Sequence, residues 1–401
     1  MSGITRRLNE IDKIFYHLGK TGKRSNDINI HLELLIQGIN QNDLFKGCER
    51  FLHQEEWFLM GGRDVNTDTP IMFNNQNYHW ITQPVEFGNH LIIIRLGNKG
   101  NNKSIISITV PHFLGDSRTP CHVMRRIIEL SKGCNKPIKN PKKVRFRDLY
   151  MDNVKGAGNI IKTLGVEIRE IELNMGRTSG KGRKLALLNI KINKDTMFSL
   201  SKARRKYRLA RPELIQAIIS HVLLNTFRET SNGIHNMIFD LPDENFTMNN
   251  RFRSVPFKGS TESLSENVEA VRKLRDDYIS TNSRYAFLIR ALFLSVPGNG
   301  FLIRTLVPLM MGSVNHYISY INLNPRLSYL MDSFGDVEIF DPWMNMRPVG
   351  SAVSNVAISE FNGEAIISIC WDIQKGPQDA GTLLRKNLMN DIDMVGRQID
   401  G

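Results

Sequence analysis

Hydrophobic residues recur along the first half of the chain with two different periods. Alternating or β-branched runs predict strands at residues 28–37, 90–97 and 104–110. Apolar residues at three- and four-residue spacing predict helices at residues 5–19, 42–62 and 121–133. The second of these helices is expected to begin at Asn42 or Asp43 and to end at Gly61, because these residue types favour helix termini.

The second half repeats this mixture of strands and helices. Strands are predicted at residues 184–192, 234–242 and 316–325, and a hairpin at residues 352–372 with Asn362-Gly363 as its turn. Helices are predicted at residues 194–210, 211–229, 261–280 and 378–399. Two successive halves of mixed strands and helices indicate an α+β protein.

The length of 401 residues favours two domains over a single core. Residues 134–182 are basic and poorly periodic, and residues 174–184 have the composition of a flexible linker. We therefore expect an N-terminal lobe at residues 1–175 and a C-terminal lobe at residues 176–401.

The formal charge of +13 indicates an anionic partner. Basic residues cluster at residues 136–147, 177–184 and 202–208. Each cluster taken singly is typical of a solvated surface. None of the clusters matches a known nucleic-acid-binding motif. The hypothesis of a nucleic-acid-binding protein is therefore supported by the positive charge alone.

No uninterrupted apolar run of 18 or more residues is present, so no transmembrane helix is predicted. The most apolar stretch, residues 286–312, is interrupted by charged, proline and glycine residues. It predicts two buried helices; the alternatives are a binding surface for a hydrophobic substrate or a peripheral contact with lipid. The beginning of the sequence lacks a secretory signal. The four cysteines show no metal-ligand spacing, which predicts free thiols, no metal site and a cytoplasmic protein.

One segment carries candidate chemistry. A predicted strand ends at Pro111, His112 follows, and Gly115 and Asp116 precede the next predicted helix. Gly115 permits a backbone conformation that a side chain would disfavour, and Asp116 can hold the turn. A neutral imidazole held in one orientation can take a proton from an alcohol or an amine. The bare spacing arises easily by chance, so a histidine in an ordinary turn is the alternative.

This HxxxD segment resembles that of the acyltransferase superfamily with two chloramphenicol-acetyltransferase-like lobes. The superfamily includes condensation domains, wax ester synthases, polyketide-associated acyltransferases and plant BAHD enzymes. Four further segments resemble the family pattern in order and spacing: residues 6–18, 51–63, 200–227 and 248–257. Together with the HxxxD segment they cover nearly the whole chain.

The resemblance implies an α+β fold of two sandwich lobes with a tunnel at their interface. It implies that His112 acts as general base while acyl-CoA or a phosphopantetheinyl carrier protein donates an acyl group to an amine or alcohol. Asp116 would be structural and paired with Arg118, Arg251 or Arg253. No permanently bound cofactor and no covalent acyl-enzyme is implied, and we expect a monomer.

Residues of the strand at 316–325 complete the predicted site. An oxyanion donor would stabilise the reaction, and Ser319, Tyr320 and Asn322 are candidates for it. His316 is a candidate for lining the tunnel. For each residue the alternative is an ordinary structural role.

Two positions depart from the family pattern. Pro111 stands where condensation domains usually have a second histidine, and Ser117 stands where the family usually has glycine. The BAHD DFGWG motif is absent as well. These departures predict a divergent, standalone acyltransferase of natural-product or lipid assembly, and they keep open a non-catalytic protein that binds carrier-bound intermediates.

Overall fold

The computed structural model describes residues 29–54, 71–73, 92–100, 103–112, 115–134, 184–231, 233–240, 252–260, 263–281, 314–348 and 352–397. The predicted helix at residues 5–19, the apolar stretch at residues 286–312 and the basic cluster at residues 136–147 lie outside this part of the chain. The proposed domain boundary also falls almost entirely outside it and stays a prediction.

The first sheet has five strands in the order β2-β3-β4-β1-β9. They are β1 (Asn29–Gln37), β2 (Ile71–Phe73), β3 (Ile93–Gly100), β4 (Lys103–Pro111) and β9 (Glu338–Met346). Alternate residues of β1 and β4, among them Leu32, Leu34, Ile106 and Ile108, are fully buried in one core. Helices α1 (Gln41–Gln54) and α2 (Arg118–Ser131) contribute their apolar faces to the same core.

The second sheet has six strands in the order β5-β11-β10-β8-β6-β7. They are β5 (Leu185–Ile192), β6 (Ile234–Asp240), β7 (Phe252–Lys258), β8 (His316–Asn322), β10 (Ser354–Phe361) and β11 (Glu364–Asp372). Four helices pack with it around a second core: α3 (Lys194–Tyr207), α4 (Arg211–Thr226), α5 (Leu264–Thr281) and α7 (Ala380–Arg397). The described residues therefore form an α+β protein with two sheets, each packed on a large hydrophobic core, which confirms the predicted fold class.

One segment of the second half belongs to the first sheet. After β8, helix α6 (Asn324–Ser333) packs against α2, and β9 then pairs antiparallel with β1. Asn29 on β1 faces Pro111 on β4, and the next residue, Ile30, faces Met346 on β9. The carboxyl ends of β4 and β9 thus meet at one end of the sheet.

The described residues confirm the predicted strands and most of the predicted helices, with two corrections. The cap of α1 is Asn40 and not Asn42 or Asp43, since the Asp43 N–H donates to Asn40 Oδ1 at 2.9 Å. The strand predicted to run to residue 325 ends at Asn322, because Pro325 lies in the first turn of α6. Asn362 and Gly363 have the positive φ values, 50° and 78°, that a tight hairpin turn requires.

Within the part of the chain that the structure describes, no helix has the length and apolar character needed to cross a bilayer. The four cysteines are free thiols, as predicted, and Cys48, Cys121 and Cys370 are buried. Burial raises the pKa of the Cys370 thiol to about 12, which leaves it in the unreactive protonated form.

Candidate active site

The HxxxD turn begins where β4 leaves the first sheet. The Gly115 N–H donates to the His112 carbonyl at 3.2 Å, and this bond closes the turn. Gly115 has a φ of 150°, which side chains disfavour, so the glycine is required for its backbone conformation. The His112 side chain is buried, with 6% of the residue exposed.

Asp116 holds the end of this turn through two kinds of contact with Arg118. The Arg118 backbone N–H donates to Asp116 Oδ1 at 2.9 Å. The Arg118 guanidinium also donates from Nε to Oδ1 at 3.0 Å and to Oδ2 at 3.1 Å. Only 5% of the Asp116 side chain and 8% of the Arg118 side chain are exposed, so the ion pair is buried. Asp116 therefore pairs with Arg118. The other two candidates are not tested, because Arg251 and the side chain of Arg253 lie outside the described residues.

Ser117 stands at the N-cap position of α2 without capping it. Its hydroxyl instead accepts a hydrogen bond from Arg326 Nη1 at 2.9 Å. Arg326 belongs to α6, 209 residues away along the chain. Ser117 therefore connects the end of the HxxxD turn with the second half of the sequence.

The face of the first sheet that points away from helices α1 and α2 is polar and yet buried. Its members include Asn29, His31, Arg95, Ser107 and Thr109. His31 Nδ1 lies 3.0 Å from Thr109 Oγ1, and Arg95 Nη1 donates to the same oxygen at 3.3 Å. Thr109 lies on β4, three residues before His112. The side chains of His31 and Arg95 therefore contact the strand that leads into the HxxxD turn.

Burial lowers the pKa of Arg95 to about 10, an effect that the nearby Glu33 carboxylate opposes. Glu33 also accepts a hydrogen bond from Trp343 Nε1 at 3.3 Å. Trp343 on β9 in turn packs against Ile366 on β11 of the second sheet. Trp343 thus hydrogen-bonds a charged group of the first sheet and packs against an apolar residue of the second.

Buried amides join the two sheets at the carboxyl end of β9. Asn345 Nδ2 donates to the Ser368 carbonyl at 2.8 Å and to Ser368 Oγ at 3.0 Å. Asn355 Nδ2 donates to Asn345 Oδ1 at 2.5 Å. Arg347, two residues further along, is also buried and lies at the same end of the sheet as Pro111. Polar groups from both halves of the chain therefore converge at the end of the sheet from which His112 emerges.

His316, a predicted lining residue, is fully buried in the second lobe. Its Nδ1 lies 2.8 Å from Ser354 Oγ and its Nε2 lies 3.2 Å from Ser231 Oγ. The ring centroid lies 4.9 Å from that of His235. Burial lowers the pKa of His316 well below its ordinary value and that of His235 to about 3, so both rings are neutral.

Two of the three predicted oxyanion donors on β8 contact the neighbouring strand β10, and the third contacts the start of α6. Ser319 Oγ donates to the Val356 carbonyl at 3.1 Å, and the Tyr320 hydroxyl donates to Glu360. Burial, followed by the Glu360 carboxylate, raises the pKa of Tyr320. Asn322 is exposed, and its Oδ1 accepts from the Asn324 N–H at 3.0 Å. β8 leads directly into α6, which carries Arg326 to the HxxxD turn.

Among the described residues, no group of three or more His, Cys, Asp or Glu side chains could hold a metal ion. His122, the neighbour of Cys121, is half-buried, and desolvation followed by the charges of Arg125 and Arg126 lowers its pKa to about 4. Arg326 could not be identified from the sequence, because nothing in the residues around it indicates a contact 209 residues away.

The fold of this chain is similar to that of solved condensation domains. No family model and no curated protein matches the sequence. The fold is that of two-lobed, chloramphenicol-acetyltransferase-like condensation domains.

The first condensation domain of the CDA synthetase is similar over 99% of this chain and 97% of its own, with 12% identity and a TM-score of 0.66. The condensation domain of the Monacolin K polyketide synthase MokA is similar over 97% of each chain, with 12% identity and a TM-score of 0.62. The epimerization domain from the third module of tyrocidine synthetase B is similar over 98% of this chain and 96% of its own, with 11% identity and a TM-score of 0.55.

Proposed function

We propose that this protein is an acyltransferase that moves an acyl group from a thioester to an amine or a hydroxyl, with His112 as general base. The observation that carries the proposal is a buried histidine at the start of a turn that Gly115 permits and the Asp116–Arg118 pair holds. The solved structures of the same fold include condensation domains of peptide and polyketide synthetases, which supports this class of reaction.

The reaction uses one proton and no redox change. The neutral imidazole of His112 takes the proton from the acceptor nitrogen or oxygen as that atom attacks the thioester carbonyl. The tetrahedral intermediate then collapses, the carbon–sulfur bond breaks, and the leaving thiolate receives the proton from the imidazolium. Asp116 accepts hydrogen bonds from Arg118 and keeps the turn in place, so its role is structural.

Coenzyme A or a carrier protein is the proposed thioester donor, since both are anionic and the chain carries a formal charge of +13. Within the described residues, Lys202, Arg204, Arg205, Lys206 and Arg208 are exposed at the end of α3. The neighbouring Arg211 pairs with Glu360 at the end of β10, and the Glu360 carbonyl accepts from the N–H of Leu323, just before α6. These contacts connect Arg211, three residues after Arg208, with the residue that precedes α6, which supports this basic surface as the proposed donor-docking site.

Purified protein, acyl-CoA and acyl-carrier thioesters, and a panel of amines and alcohols provide the test. His112→Ala should lower kcat about 100-fold or more, the ordinary contribution of a general base. His53→Ala, which removes an exposed histidine at the end of α1, is the matched control and should leave kcat unchanged. Near-normal turnover by a folded His112→Ala variant would refute the mechanism.

The same experiment addresses the alternative of a non-catalytic binding protein. Wild-type protein that binds an acyl-carrier thioester but transfers its acyl group to no acceptor would support a scaffolding role. The thioester should then be recovered intact, with equal yield from wild type and His112→Ala.

A further inference from the structure

Segment 324–346 comprises α6 and β9, and three of its described polar or aromatic side chains contact α2 or one of the residues that flank it, Ser117 and Lys132. Arg326 donates to Ser117 Oγ at the N-terminal end of α2 at 2.9 Å. The Arg125 guanidinium lies 3.9 Å from the centroid of the Tyr329 ring near the middle of the helix. At the far end, Lys132 donates to Asp336 at 2.6 Å and to the Gly38 carbonyl at 2.8 Å.

The contact at Ser117 differs from the other two because Ser117 directly follows Asp116, the last residue of the HxxxD turn. A serine at an N-cap normally uses its hydroxyl to accept an N–H of its own helix. Here Asp116 Oδ1 accepts the Arg118 N–H, and the Ser117 hydroxyl has no capping bond. The hydroxyl is therefore available to Arg326, and its loss does not remove a helix cap.

We propose that Arg326 is a positioning residue for His112, which acts by holding Ser117 and hence the HxxxD turn against the second half of the chain. The inference rests on the proposed function. The Gly115 N–H donates to the His112 carbonyl at 3.2 Å, and Asp116 and Ser117 follow Gly115 directly. A displacement of the turn would move the imidazole relative to both substrates, and misplacement of about 1 Å can cost about 100-fold in rate.

The experiment compares Ser117→Ala, Arg326→Met and the double variant with Ser117→Thr, which keeps a hydroxyl. We expect Ser117→Ala and Arg326→Met each to lower kcat about ten-fold or more with KM unchanged. The kcat of the double variant should be no lower than that of the less active single variant, because both changes remove the same contact. Ser117→Thr should keep most of the wild-type kcat. Lys132→Met is the matched control, because it removes a cation that joins the same two elements at the end away from the turn. Its kcat should equal that of the wild type.

A structural role alone would lower stability in all these variants and would leave the kcat of the folded protein unchanged, which would overturn the inference. His112→Ala, assayed alongside, separates this failure from failure of the proposed function. Hydrogen exchange of the peptide spanning residues 112–120 gives a readout that does not depend on activity. Exchange should be several-fold faster in Ser117→Ala and Arg326→Met but not in Lys132→Met; equal exchange in all variants would equally overturn the inference.

Discussion

Removing the charge of Asp116 should destabilise the protein far more than an ordinary ion pair would. Asp116→Asn keeps the shape of the side chain and an oxygen for the Arg118 N–H, but it leaves the Arg118 guanidinium without its carboxylate. Both side chains are at least nine-tenths buried. Loss of one partner of a buried pair costs about 3–5 kcal/mol, because the other charge stays desolvated.

The free energy of unfolding from urea titrations, followed by tryptophan fluorescence, measures this cost. Hydrogen exchange in α2 shows whether the loss begins at this helix. Arg118→Met should cost a similar amount, whereas the Asp116→Asn, Arg118→Met double variant should recover part of it because neither charge remains. As a control, Arg272→Gln removes an Arg–Glu pair on α5 in which the Glu269 side chain is 59% exposed, and it should cost at most about 1 kcal/mol.

Two results would contradict this reasoning. Loss of less than about 1 kcal/mol in Asp116→Asn would show that burial does not strengthen the pair beyond a surface ion pair. A cost in the double variant equal to the sum of the two single variants would show that Asp116 and Arg118 are not coupled.

Two further predictions concern pH and donor binding. Burial lowers the pKa of His235 from 6.5 to about 3 in the folded protein. At any pH below 6.5 the unfolded state therefore binds more protons than the folded state, and the free energy of unfolding decreases as the pH falls. At pH 5 this residue alone should lower the free energy of unfolding by about 2 kcal/mol. His235→Phe, which keeps an aromatic ring against Phe257, should flatten urea midpoints between pH 7.5 and 5, and an unchanged slope would contradict the assignment. The double charge reversal Lys202→Glu, Arg205→Glu should raise the KM for an acyl-carrier donor, and more strongly at low salt. The control is the same double reversal at the exposed Arg385 and Lys386 on α7, which should leave KM unchanged. Equal KM values in the two double variants would contradict docking of the donor at α3.

The HxxxD turn could be recognised from the sequence because its features are local. A β-branched strand, a histidine, a glycine and a helix follow one another within 30 residues, and each obeys a short-range rule. The choice of arginine partner was harder because it depends on where α2 begins. Hydrophobic periodicity becomes clear only at Cys121, whereas the helix starts at Arg118 and thereby brings that guanidinium onto Asp116.

β9 could not be predicted because its sequence contains two signals of a turn. Asp341 has a φ of 47° and Pro342 follows it, and the pairing with β1 is irregular at this point. Proline and a bulge are tolerated here because β9 is an edge strand of its sheet. The Asp341-Pro342 pair, which predicts a loop, therefore forms a bend within strand β9.

The division of the sequence into two similar halves does not coincide with the construction of the site. β4 supplies His112 and Ser117 begins α2, whereas Arg326 and β9 come from the second half and complete the first sheet and the surroundings of the turn. The same fold also occurs in an epimerization domain, so the architecture by itself does not select a reaction. Under the proposed function, the reaction is selected by the placement of the buried His112 imidazole against two substrates. We infer that this placement depends on the Ser117 hydroxyl and on the Arg326 guanidinium, 209 residues away.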